Sequence, residues 1–75
     1  MASLRPLKLR ELLLALKRLG FEQTRQHGSH AIFAHADGRR TVVPIHGNDR
    51  MGRGLLRKII RECGSTVGEF METLE

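Results

Sequence analysis

Leucines at 9, 12, 13, 16 and 19 recur every three to four residues, with Lys8, Arg10, Glu11, Lys17 and Arg18 mostly between them. That period draws one apolar stripe down a helix and predicts a first helix over about residues 7–19. Pro6 suits its first turn, where a missing N–H costs nothing, and Gly20 suits the left-handed position just past its end. The period then changes. Phe21, Gln23 and Arg25 alternate against Glu22, Thr24 and Gln26, a polar strand pattern over 21–27, and a second strand over 30–35 has Ile32 and Phe33 to bury. Ala36, Asp37 and Gly38 supply a tight turn, and the β-branched run 41–45 predicts a third strand that Pro44, lacking a backbone donor, marks as an end or edge. The middle of the chain therefore reads as a three-stranded antiparallel meander. Alternation alone leaves open which face of each strand is buried.

Residues 46–54 carry three glycines and three charges and read as a loop. Leu55, Leu56, Ile59, Ile60 and Cys63 then predict a second helix, with Arg53, Arg57, Lys58 and Arg61 on its other faces and Gly64 closing it. Thr66 and Glu69 have the spacing of a capping box, so a short third helix is expected over about 67–74, weakened locally by Gly68. The order is α-β-β-β-α with a helical tail, an α+β fold in which a three-stranded antiparallel sheet packs on helices. A similar order occurs in the double-stranded-RNA-binding fold. No repeat or linker breaks the chain, so residues 1–75 are expected to form one domain.

Composition narrows the function. A 75-residue chain buries only about 60% of the surface it exposes when unfolded, leaving no room for a large enclosed cofactor; none is expected. Thirteen Lys and Arg against eight Asp and Glu leave a net charge of +5, and ten of the thirteen cations are arginine, whose planar fork grips phosphate oxygens in pairs. Such a surface fits nucleic acid or an anionic membrane. No apolar run approaches the ~20 residues of a membrane span, and the first 19 residues are too charged for a signal peptide, so a cytoplasmic protein is expected. Cys63, the only cysteine, can form no internal disulfide and reads as a small core residue. With no Trp or Tyr and three Phe, recognition of RNA by base stacking is disfavoured relative to contacts with shape and backbone.

The chemistry concentrates in the central third, where His27, His30, His35 and His46 lie among Arg25, Arg39, Arg40 and Arg50. Histidine can both take and give a proton near neutral pH. RNA carries its own nucleophile, the 2′-hydroxyl, so a protein that removes that proton, protonates the leaving oxygen and offsets charge on the phosphorane can cut it. General acid–base help is worth roughly 10²–10⁴-fold, and positioned cations add to it. His27, His30 and His35 are loosely spaced as metal ligands, but no nearby carboxylates or cysteines complete a set, so no metal site is assigned. His35 reads as a surface or hydrogen-bonded structural residue, and His27 leans the same way. His30 differs because Gly28 and Ser29 precede it at a strand junction, where the backbone can turn tightly and approach a phosphate. Gly28, Ser29, Arg25, Arg39 and Arg40 are the candidate substrate-binding residues around it.

Several of these stretches occur together in a known order. Leu19-Gly20-Phe21, Arg25-Gln26-His27-Gly28-Ser29-His30, Asp37-Gly38-Arg39-Arg40, Val43-Pro44-Ile45-His46-Gly47 and Gly54-Leu55-Leu56-Arg57-Lys58-Ile59-Ile60 resemble the HicA family, the toxins of HicA–HicB toxin–antitoxin modules. The likeness runs from about Leu9 to Leu74. It implies a double-stranded-RNA-binding-like fold, ribosome-independent cleavage of mRNA, and a HicB-like antitoxin partner that covers the site. The family's catalytic histidine falls on His30, with Gly28 and Ser29 as motif neighbours, and His46 matches a position of supporting or structural role. Residues 48–51 and Gly68 depart from the family pattern without touching the proposed site. A non-catalytic RNA-binding module of the same fold is the alternative.

Overall fold

A computed structural model of the chain describes residues 3–45 and 50–75. The elements run α1 (Leu9–Arg18), β1 (Phe21–His27), β2 (His30–His35), β3 (Arg40–Pro44), α2 (Arg53–Glu62) and α3 (Val67–Glu72). The sheet order is β1-β2-β3 with both pairings antiparallel, the expected meander. Helix, three strands, then helices is the α+β arrangement that the periodicity predicts, and it is compatible with the double-stranded-RNA-binding order.

The helix boundaries move for identifiable reasons. α1 begins at Leu9, two residues later than predicted, because Leu7 is pulled out to exchange backbone hydrogen bonds with Met51, Leu7 N–H to Met51 O at 3.2 Å and Met51 N–H to Leu7 O at 2.7 Å. Pro6 therefore lies ahead of the first turn. The Glu11 carboxylate closes that end by accepting the Lys8 N–H at 2.9 Å. α2 begins at Arg53 rather than after Gly54. α3 starts where the Thr66–Glu69 pair predicts, with Glu69 N–H donating to Thr66 Oγ1 and Thr66 N–H to the Glu69 carboxylate, both at 3.1 Å. It ends at Glu72, two residues short of the expected Leu74.

Alternation in the sheet resolves into one covered and one open face. Ala31 and Phe33 of β2 and Thr41 and Val43 of β3 are buried against Leu12, Ala15 and Leu16 of α1, Leu56, Ile59 and Ile60 of α2, and Phe70 and Met71 of α3. Cys63 joins this core, and burial pushes its thiol up to about 11, so it stays protonated at neutral pH. Among the described residues Thr41 is the buried polar one, and its hydroxyl donates to Glu62 at 2.8 Å. All three phenylalanines are buried, at 2%, 6% and 0% exposure for Phe21, Phe33 and Phe70, so none offers an aromatic ring to a base.

Candidate functional site

The strand registers place the open-face residues in rows. His27 pairs with His30, which pairs with Pro44; Arg25 pairs with Ile32, which pairs with Val42; Glu22 pairs with Ala34, which pairs with Arg40. Directly paired residues project to the same side of a sheet. None of these nine side chains is buried. They lie opposite the helices, because their strand neighbours Ala31, Phe33, Thr41 and Val43 point into the core.

A bulge sets this arrangement. Gln23 pairs with Phe33 and Arg25 with Ile32, so Thr24 is one extra residue in β1. Simple alternation from Phe21 would send Arg25 and His27 to the core side. The inserted residue reverses the phase and brings both onto the face of His30. The sequence pattern missed this, because nothing in a polar run of Thr and Gln announces an extra residue.

His27 and His30 flank a two-residue turn. Gly28 has φ +59° and Ser29 has no positive φ, the pattern of a hairpin turn with glycine at its first central position. A Cβ at Gly28 would meet nothing within 4 Å, so glycine serves backbone conformation there rather than space. The Gln26 side chain donates to Gly28 O at 2.9 Å, and Ser29 O accepts the Ile45 N–H, which ties the turn to the end of β3. His30, His27, Gly28 and Arg25 are exposed and Ser29 is half-buried. Arg25 sits one row from the histidines, about 7 Å away along the strand, and Arg40 two rows away, about 13 Å.

Arg39 is placed differently. Its guanidinium donates to the Asp37 carboxylate at 2.8 and 3.0 Å and to the Cys63 carbonyl, and lies 5.3 Å from the centre of the Phe21 ring. The Arg39 side chain holds the Asp37 carboxyl below its ordinary value, and the same contact raises the guanidinium's own. Arg39 thus bridges the β2–β3 turn to the end of α2 and is not gathered with His30. The two candidate substrate-binding arginines therefore differ in setting: Arg39 is held by contacts within the fold, and Arg40 is exposed on the open face.

His35 is a hydrogen-bonded structural residue. Its ring meets Phe21 edge-on at 5.3 Å, and Nδ1 faces both the Asp37 N–H and an Asp37 carboxylate oxygen at 3.1 Å. One nitrogen cannot accept and donate at once, so the neutral ring takes the N–H and the protonated ring gives to the carboxylate. His46 lies outside the described residues. Among the described residues no three His, Cys, Asp or Glu side chains gather as a metal set, and no helix is long and apolar enough to cross a membrane.

Two other surface features lie apart from the histidines. A groove of about 550 Å³ runs between α1 and β1, lined by Leu13, Lys17, Gly20, Phe21, Glu22, Gln23 and Phe33, and contains no histidine. Arg57, Lys58 and Arg61 are exposed on α2, the helix layer behind the sheet, so the positive charge is divided between the two faces.

A family model described as the HicA toxin of bacterial toxin–antitoxin systems matches residues 9–65, from the start of α1 to just beyond α2. That span contains every described residue of the open face. Comparison with curated proteins finds no match.

Proposed function

Because the chain belongs to the HicA toxin family of toxin–antitoxin systems, we propose that it is an endoribonuclease that cuts mRNA with His30 as the proton-transferring group. The observation that carries this reading is the position of His30, exposed beside the Gly28–Ser29 turn and on one face with Arg25 and Arg40.

The 2′-hydroxyl next to the scissile phosphate gives its proton to His30 and attacks phosphorus. Gly28 and Ser29 let the phosphate approach the backbone of the turn, and Arg25 offsets the charge that accumulates on the phosphorane. Arg40 holds the strand further along the face. The family's toxin–antitoxin character supports a HicB-like antitoxin as protein partner, seated so that it covers the histidine row. An acidic or polar protein surface could compete there with RNA for the same arginines.

His30→Ala removes the base while leaving the core intact, since the side chain is exposed. Cleavage of a plain transcript is expected to fall by roughly 10²-fold or more, with thermal unfolding and binding to a 2′-O-methyl oligonucleotide unchanged. Cleavage by the parent should persist with chelator and leave a 2′,3′-cyclic phosphate. A His30→Ala protein that cuts at the parental rate, or parental activity that stops with chelator, refutes the proposal.

A further inference from the structure

We propose that His27 is the second proton-transfer group of the site, the general acid that protonates the leaving 5′-oxygen. This rests on the reading of His30 as the base. Cleavage through a 2′-hydroxyl needs a proton removed on one side of phosphorus and a proton supplied on the other. One histidine cannot stand on both sides in a single step.

The hairpin supplies two. His27 and His30 are direct partners across a two-residue turn, so their Cβ atoms lie about 5 Å apart and their rings project from the same face. From that spacing two imidazoles can diverge enough to flank a phosphate. Both residues are exposed, so both rings can reach a bound strand. The bulge at Thr24 is what turns His27 to this face; without it the ring would sit on the helix side of the sheet. Beyond His30 the row ends in Pro44, which carries no titratable group. Among the described residues, the groups beside His27 on this face are Arg25 on its own strand and His30 across the turn, and β3 adds Pro44 behind His30.

The step balances. The 2′-O–H proton passes to neutral His30 as the P–O2′ bond forms. The P–O5′ bond breaks, and protonated His27 gives its proton to O5′. The products are a 2′,3′-cyclic phosphate and a 5′-hydroxyl, with His30 protonated and His27 neutral until both exchange with water.

The test compares two substrates, an ordinary RNA oligonucleotide and one with sulfur replacing the bridging 5′-oxygen at the cut site. A thiolate leaves without being protonated, so the second substrate needs the base but not the acid. His27→Ala should slow cleavage of ordinary RNA by roughly 10²-fold and leave the sulfur substrate within a few-fold of parental, whereas His30→Ala should be slow on both. The parental rate–pH profile should be bell-shaped, and His27→Ala should lose its alkaline limb. Binding of a 2′-O-methyl oligonucleotide by His27→Ala should match parental, which excludes misfolding. The inference is overturned if His27→Ala cuts ordinary RNA at the parental rate, if it is equally slow on both substrates, or if sulfur rescues His46→Ala instead. A His27→Ala protein with full activity beside a dead His30→Ala protein removes only this inference; an active His30→Ala protein removes the function from which it starts.

Discussion

Gly20 joins α1 to β1 with φ +94°, and a Cβ there would lie 2.8 Å from His35 Nε2 and 3.0 Å from its Cδ2. Gly20→Ala therefore meets two separate penalties. A side chain at positive φ costs about 1–2 kcal/mol, and forcing a methyl group against a held ring costs a further ~1–3 kcal/mol. The His35 ring has little freedom to retreat, since Phe21 meets it edge-on and Asp37 engages Nδ1. Gly38 isolates the first penalty: its φ is +101°, and a Cβ there would meet nothing within 4 Å. Gly38→Ala should then cost about 1–2 kcal/mol and Gly20→Ala about 2–5 kcal/mol. A chain of this length has a total stability of about 4–11 kcal/mol, and each kcal/mol shifts Tm by roughly 4–8 °C. Thermal melts of both variants, with His35→Ala and the Gly20→Ala/His35→Ala double variant, close a cycle. Removing the ring should return the steric part, so Gly20→Ala in the His35→Ala background should fall to the cost of Gly38→Ala. Equal losses for Gly20→Ala and Gly38→Ala, or no coupling with His35, would show that the ring contact is not what makes glycine necessary.

Arg39→Gln should lower the unfolding temperature, since it loses Asp37, the Cys63 carbonyl and the Phe21 ring, whereas Arg40→Gln should leave it nearly unchanged and lower the log–log salt slope of RNA binding by about 0.7; the reverse pattern would contradict the division of roles. The Asp37 carboxyl is lowered by Arg39, and that of Glu11 by the Lys8 N–H and then by Arg5, so each contributes stability that is present above its ordinary carboxylate value and lost as pH falls through its depressed one. Melting temperatures between pH 5 and 2 should fall less steeply for Asp37→Asn and Glu11→Gln than for the parent, and an identical acid slope would sink that account. Deleting Thr24 forces either Phe21 out of the core, at about 1.5–3 kcal/mol, or Arg25 and His27 off the open face. A deletion variant with both parental Tm and parental cleavage would refute the bulge as the organiser of the site.

How much of this was legible in the sequence depends on the range of the interaction that fixes each feature. The helices were legible because their cause is local: leucines every three to four residues make a stripe that must be buried, and Thr66 with Glu69 closes a turn on itself. The meander was legible for the same reason, through the turn residues at 36–38 and the β-branched run that follows. The displaced start of α1 was not, because Leu7 answers to Met51, 44 positions away. The anchoring of Arg39 was not legible either, because the Cys63 carbonyl that it meets lies 24 positions on.

The candidate site shows the same division within a few residues. Gly28, Ser29 and His30 could be singled out, because a glycine before a histidine at a strand junction has a local meaning. The partnership of His27 with His30 could not, since it depends on the phase of β1, and that phase is decided by where a polar strand with one residue too many settles against β2. Phe21 is buried and the Gly28 turn fixes the other end, so the seven residues of β1 must absorb the mismatch somewhere between. They do so at Thr24, whose hydroxyl lies 3.4 Å from the carbonyl of Ile32. A period of two counts faces correctly only while no residue is inserted. A buried residue at one end of a strand and a tight turn at the other can therefore select the face of a histidine between them.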